Sequence, residues 1–351
     1  MGHGVYVIKR AVFLHMTSRS GDDVLPPVRL LREQQALNDA GWKTSVDEVE
    51  RPDAPPIGKF LKRTALFKRT TKRISDLLRD IETPDLLFAH DIETLPAAVD
   101  VGKEWNIPII YDCHEHWPYL IRENSRLEAI AADIIERRLV RNVVHVLTVS
   151  ESIAARFRAM GVPTPVLYNA RPRSEVEDIT PTAHAAARKA LGLQPDDFVM
   201  GFVGNLTLLM RHDQPIWTIL KALAELPENV RFVVVGGPAR MAEELKNFVR
   251  LTNIVDSSRR VNNGRILIYG ARPYAELDKF YATLDLGLVP LSNIPIHNVS
   301  LGNKVFDYMA RGIPLYVPNT AVDTSALVRK VFCGWTYDEK TFRPMLETVI
   351  N

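Results

Sequence analysis

The stretch Leu301-Gly302-Asn303-Lys304-Val305-Phe306-Asp307-Tyr308-Met309-Ala310-Arg311-Gly312-Ile313-Pro314 lies between two short apolar runs, Leu286–Val289 and Leu315–Val317. A helix opened by a glycine and enclosed by apolar runs is a strand–helix–strand unit, the building block of a parallel sheet covered by helices. Upstream the same grammar continues through Phe198–Gly204, Val230–Val235 and Ile266–Tyr269, with helix-like stretches at Ala239–Leu251 and Tyr274–Leu284. An earlier series has Val5–Met16, Lys43–Val49, Leu86–His90, Ile107–Cys113, Val143–Val149 and Val166–Tyr168. Within it, Arg29–Ala40 reads as a helix stopped by Gly41. The pattern predicts an α/β chain of two Rossmann-like parallel-sheet domains.

Between the two series, Ala170–Ala183 is rich in charge and proline and nearly free of apolar residues, as suits a linker. The expected organisation is an N-terminal domain over 1–170, a linker over 171–183 and a C-terminal domain over 184–351. Parallel sheets bind ligands beyond their carboxyl ends where strand order reverses, so the substrate is expected in a cleft between the halves.

Composition narrows the function. The 351 residues are 46% hydrophobic and 25% charged, which places the chain among ordinary globular proteins and excludes extended disorder. Lys+Arg 44 against Asp+Glu 42 leaves a net charge of +2, so nucleic acid is not an expected partner. Cys113 and Cys333 are far apart and read as free thiols of a reducing compartment. Lys9, Arg10 and His15 break the first apolar run, which falls short of the ~18–20 residues of a spanning helix. A cytoplasmic location is expected. Neither Gly-x-Gly-x-x-Gly nor Gly-x-x-x-x-Gly-Lys-Ser/Thr occurs, which disfavours NAD enzymes and P-loop NTPases. With no Cys-x-x-Cys, His-Glu-x-x-His or Asp-x-Asp, no metal and no cofactor are expected.

A glycine before a helix lets backbone N–H groups approach an anion, and the helix dipole favours negative charge there. Gly302 and Asn303 thus form a candidate diphosphate cradle, and Asp307, a turn further in, a candidate acceptor for ribose hydroxyls. Spacing alone fits equally well a surface helix with Asp307 in water.

The run Asn303-Lys304-x-Phe306-Asp307-Tyr308-Met309-Ala310-x-Gly312-x-Pro314 resembles the donor-half signature of family-four-type retaining glycosyltransferases of the GT-B fold. Further matches are Tyr111-Asp112-Cys113-His114-Glu115-His116-Trp117-Pro118, Tyr168-Asn169, Gly201-Phe202-Val203-Gly204-Asn205-Leu206 and Val233-Val234-Val235-Gly236. The resemblance implies a nucleotide-diphosphate sugar donor, retained anomeric configuration, no metal, and a glycan or lipid-linked acceptor in cell-surface polysaccharide or glycolipid assembly.

Residue by residue, it implies that Asp307 replaces a ribose-binding glutamate and that His114 lies at the donor sugar. Asn205 stands where the family has an arginine, with Arg211 the nearest candidate for the lysine that follows; both would clamp the leaving diphosphate. Val299 replaces a glutamate that holds the donor sugar. Gly204, Arg272 and Lys304 complete the expected donor set, with His114 and Arg211 as its catalytic members. Glu115 and Gly21 are assigned to the acceptor side, where Ser18–Asp23 offers one glycine instead of a pair. C-terminal helices that cross back to the first domain are expected to be short or missing.

The departures at Asn205 and Val299 motivate an alternative, a weakened or non-catalytic sugar-nucleotide-binding protein. An epimerase of the same architecture is a third reading, disfavoured by the scarcity of acids near Gly302. Finally, Lys59–Arg73 carries basic residues without an acid, including Lys62, Arg63, Lys68, Arg69, Lys72 and Arg73, interleaved with Phe60, Leu61, Leu66 and Phe67. It reads either as a basic face for peripheral contact with an anionic membrane, at the inner face of the cell membrane, or as a solvated helix packed on the first sheet.

Overall fold

Both series of apolar runs form parallel sheets. The computed structural model describes residues 9–17, 28–50, 59–171, 175, 176, 178–210, 215–255 and 264–350, with the backbone alone at 17, 28, 49, 50, 59–66 and 251–255. It divides into two compact units, Met1–Tyr168 and Asn169–Asn351.

The first unit runs β1 (Arg10–Thr17), α1 (Val28–Asp39), β2 (Lys43–Glu50), α2 (Lys59–Arg79), β3 (Leu86–His90), α3 (Asp91–Trp105), β4 (Ile109–Cys113), α4 (Trp117–Arg122), α5 (Arg126–Leu139), β5 (His145–Thr148) and α6 (Glu151–Arg158). Its sheet order is β2-β1-β3-β4-β5, with every pair parallel. All of β3 is buried, as a continuous apolar strand covered on both faces should be. Register sets His90 of β3 opposite Asp112 of β4. Both therefore stand at the carboxyl ends of neighbouring strands. The strand expected at Val166–Tyr168 is reduced to one bridge, Thr148 to Val166, because Pro163 and Pro165 have no N–H to extend a ladder.

The second unit runs α7 (Pro181–Ala190), β6 (Phe198–Val203), α8 (Thr207–Met210), α9 (Pro215–Glu225), β7 (Val230–Val235), α10 (Ala239–Val255), β8 (Ile266–Tyr269), α11 (Asp278–Tyr281), β9 (Leu286–Leu288), α12 (Pro295–Val299), α13 (Asn303–Ala310), β10 (Leu315–Pro318), α14 (Val322–Val331), β11 (Gly334–Tyr337) and α15 (Phe342–Ile350). Its parallel sheet has the order β11-β10-β9-β6-β7-β8, so strand order reverses at β6. The expected helix over Tyr274–Leu284 is instead a 3-10 turn at Tyr274–Glu276 followed by the short α11. Phe280 and Tyr281 of that segment are core residues, and the chain turns at once into β9 to bury them.

What fixes α13 against the sheet is Tyr308. Its ring lies so close to Gly287 of β9 that a Cβ there would come within 2.8 Å of it. Its hydroxyl accepts from Val203 N at 3.0 Å and donates to Gly201 O at 3.3 Å. Val305 and Phe306 bury the remainder of that face. The first turn of α13 thereby sits at the carboxyl end of β6, where Gly204 (φ +150°) and Gly236 (φ +155°) let the backbones beyond β6 and β7 approach closely. A Cβ on Gly236 would fall 1.7 Å from Gly204 O.

Candidate functional site

Each unit gathers a polar cluster at the carboxyl ends of its strands. In the first unit the hub is Asp112, fully buried at the end of β4. Arg29 of α1 forks onto it, Nη2 to Oδ1 at 2.7 Å and Nε to Oδ2 at 2.9 Å. His114 Nε2 reaches Oδ2 at 2.5 Å, and His90 Nδ1 lies 3.1 Å from the same oxygen. Burial alone would push this carboxyl up, but His114, His90 and Arg29 together hold it well below the usual carboxylate range.

The converse holds for His114. Burial pulls it down, yet Asp112, by charge and hydrogen bond, and Asp91, whose Oδ1 is 3.6 Å from Nδ1, bring it up to about 9. At neutral pH it is an imidazolium with both ring nitrogens facing carboxylates. It can position an anion or a hydroxyl, but it is a poor general base. Glu33 of α1, buried beside Asp112, is pushed up to about 8 despite Arg29, with Nε 3.1 Å from its Oε1. Burial and then Asp91 raise Glu115 to about 7. Asp91 begins α3 with φ 64°, a left-handed backbone that a non-glycine residue adopts at a cost of about 1–3 kcal/mol.

His90, Asp112 and His114 bring their ligand atoms within 4.8 Å of one another. As a metal site the set is poor. Both Asp112 oxygens are committed to Arg29, and His114 keeps its proton.

The second cluster is built on the first turns of α13. Gly302 is its N-cap and supplies no side-chain bond to the first turn. Lys304 Nζ is buried beside Gly204, with no hydrogen-bond partner among the described residues, and lies 4.2 Å over the Phe202 ring. Burial alone lowers its pKa from 10.5 to about 7. Such an amine is a latent charge, ready to be completed by an anion. One turn on, Asp307 is buried on the inner side and accepts from Arg171 Nε at 2.8 Å and Tyr274 Oη at 3.2 Å.

The expected donor residues Gly204, Gly302, Asn303, Lys304 and Asp307 thus come together in one place. Asn205 is exposed, and its Oδ1 is spent on Thr207 N and Oγ1 at 3.0 and 2.6 Å, which opens α8. Arg272 is exposed in the turn after β8, its Nη1 bonded at 3.3 Å to Ala271 O. Val299 is half-buried at the end of α12. In the first unit His114 and Glu115 join one cluster, whereas His116 caps α4 through Tyr119 N at 3.3 Å. Arg211 and Gly21 lie outside the described residues, as do the side chains of Lys62 and Arg63. Lys68, Arg69, Lys72 and Arg73 are exposed on α2, opposite the buried Thr70, Ile74 and Leu78. No described helix is long and apolar enough to cross a membrane.

Sequence reasoning missed Arg29, Glu33, His90 and Asp91, which distant segments bring to Asp112. Arg171, expected as an exposed linker charge, lies instead on Asp307, with its guanidinium 4.0 Å over the Tyr274 ring. The signal available for two of them was position: His90-Asp91 ends a wholly apolar strand, where a polar pair has a ligand or a partner to meet.

Residues 17–170 match the Glycosyl transferase 4-like domain and residues 197–341 the Glycosyl transferases group 1 domain. The D-inositol 3-phosphate glycosyltransferase of Corynebacterium diphtheriae is 26% identical over 223 residues, 60% of this chain and 49% of that protein. Its counterpart in Xylanimonas cellulosilytica is 26% identical over 249 residues, 66% of this chain and 54% of that protein. The chain therefore spans about half the length of these relatives. Among solved structures, HepE of Anabaena in complex with UDP and glucose has a TM-score of 0.62 at 17% identity, covering 98% of this chain and 90% of that one. Sucrose-phosphate synthase of Thermosynechococcus elongatus has a TM-score of 0.70 at 16% identity, covering 97% and 90%. At such identities the likeness is one of fold. The two matched domains, which follow one another in order and together cover most of the chain, show that it belongs to the family 4-type glycosyltransferases of the GT-B fold.

Proposed function

We propose that this glycosyltransferase takes its sugar from a nucleotide-diphosphate donor held by the second unit and passes it, with retained configuration, to a glycan or lipid-linked acceptor. One observation carries the reading: a buried Lys304 amine beside Gly204, without a hydrogen-bond partner among the described residues, at the N-terminal turn of α13, with Asp307 one turn further in. As the anomeric bond breaks, negative charge collects on the departing diphosphate. Lys304, charged once the anion is beside it, and the amides of the first turn of α13 answer that charge. They take the place of the cation that Asn205 does not supply, and the reading needs neither metal nor cofactor. His114, held protonated by Asp112, positions the sugar and is not the base. HepE was crystallised with UDP and UDP-glucose, which supports a nucleotide-sugar donor here too.

Cell-surface polysaccharide or glycolipid assembly fits the exposed Lys68, Arg69, Lys72 and Arg73 face of α2, which would hold the enzyme peripherally on an anionic cytoplasmic membrane surface. The test is a thermal-shift panel of UDP-, GDP-, ADP- and dTDP-sugars, followed by a transfer assay. Stabilisation by one donor, with turnover lost in Asp307→Ala and His114→Ala, is expected. A flat panel would refute the reading. A second reading, a sugar-nucleotide-binding protein without turnover, is favoured by Asn205 and Val299. Binding without transfer or donor hydrolysis would select it.

A further inference from the structure

The two carboxylate oxygens of Asp307 are not equivalent. Oδ1 takes Arg171 Nε at 2.8 Å and Tyr274 Oη at 3.2 Å, and Arg311 Nη1 stands 3.8 Å away. No donor among the described residues reaches Oδ2. The side chain keeps 10% of its exposure. Nor is the carboxylate free to turn. Arg171 Cζ lies over the Tyr274 ring, 4.0 Å from its centroid. Arg311 is tied to the Asp307 carbonyl through Nη1 at 2.9 Å and to Asp278 through Nε at 2.7 Å. Rotating Oδ1 outward would strip two donors from a buried acceptor, which costs more than one new bond returns.

A vicinal diol engages a carboxylate best by giving one hydroxyl to each oxygen. This acid offers one oxygen, on a stem one methylene shorter than glutamate. Resting on the donor reading above, we propose that Asp307 holds one hydroxyl, not both, of the donor's pentose, and that Arg171 and Tyr274 decide this by occupying Oδ1. Arg171 is thereby a positioning residue. Donors whose pentose lacks the other hydroxyl belong to the accepted substrate class.

The test is calorimetric titration of the full chain with UDP, 2′-deoxy-UDP and 3′-deoxy-UDP, and with the corresponding adenosine and guanosine diphosphates. Removing one hydroxyl should weaken binding by about tenfold or more, as for any lost bond to a charged group, while removing the other costs under about threefold. In Asp307→Ala both losses shrink below about threefold. Arg171→Met combined with Tyr274→Phe keeps an apolar stem over an aromatic ring and removes both donors from Oδ1; there, the formerly silent hydroxyl should become worth about tenfold. A merely structural role for Arg171 would weaken every nucleotide alike and leave the ratios unchanged. The proposal is overturned if both hydroxyls matter by tenfold in the unaltered protein, or if neither does while the nucleotide still binds. Failure of every diphosphate to bind overturns the donor reading, and this proposal with it.

Discussion

Replacing Lys304 by methionine should stabilise the protein and disable the proposed donor site at once. Methionine keeps the unbranched stem and sets a thioether over the Phe202 ring, where Nζ now lies 4.2 Å from the centroid. What it removes is an amine whose pKa burial has lowered from 10.5 to about 7. At about 1.4 kcal/mol per pKa unit, that depression sets a ceiling on the order of 5 kcal/mol on the cost of burying the amine at pH 7 or below. The lost cation–π contact returns about 1–2 kcal/mol of it. A net gain of up to about 3–4 kcal/mol would raise the melting temperature by up to roughly 6–16 °C.

The sign with pH separates this from ordinary repacking. Between pH 7 and 10.5 the unfolded chain binds a proton at Lys304 that the folded one does not, so the penalty fades as pH rises through that window. The gain from Lys304→Met should therefore be larger at pH 6 than at pH 9, by about 2–3 kcal/mol. Thermal or urea unfolding at both pH values measures it, with donor affinity followed in parallel. A gain equal at the two pH values, or a donor affinity that survives the substitution, would refute the reasoning.

The first unit should respond to alkali in the opposite direction. His114 is raised from 6.5 to about 9, so the stability it contributes is whole below pH 6.5 and lost as pH climbs through 9. Glu33, neutral when folded up to about pH 8, adds to the same loss, and hydrogen exchange at pH 6.5 and 9 should show strands β3 and β4 loosening. Asp112→Asn removes the one carboxylate shared by Arg29, His114 and His90. An equilibrium urea melt should show a loss of about 3–5 kcal/mol, and the His114 proton titrated by NMR should leave at a lower pH. Gly236→Ala has no room for its methyl 1.7 Å from Gly204 O, and circular dichroism with donor titration should show loss of binding ahead of any loss of helix content. Serine at Lys68, Arg69, Lys72 and Arg73 should abolish salt-sensitive flotation with anionic vesicles; flotation unchanged from the parent would rule out membrane contact by that face.

Most of the sheet was legible because parallel strands buried on both faces are nearly continuous apolar runs. Leu86–His90 and Val230–Val235 have the same bounds in the sequence reading and in the structure. Tyr274–Leu284 misled because its apolar residues have helical spacing, while the chain spends them on a turn, a single short helix and a descent into β9. The residues proposed to hold the donor, Gly302 to Asp307, were legible as a local run. The Asp112 hub was not, since Arg29, His90 and Asp112 meet only through strand register and the packing of α1. Lys304 could be named from the sequence, but its isolation could not, because only the neighbours that enclose an amine determine whether water or an acid reaches it. Arg171 illustrates the reverse error: charged residues near prolines suggest a solvated linker, and one of them is an internal partner of a buried acid.

The central claim is that a nucleoside diphosphate docks at the first turns of α13. Hydrogen exchange of the backbone amides over residues 302–308, with and without the nucleoside diphosphate that the panel selects, tests it most directly. The account predicts slowed exchange there and at Gly204, abolished in Lys304→Met. Protection confined to another part of the chain while the nucleotide is bound would contradict it.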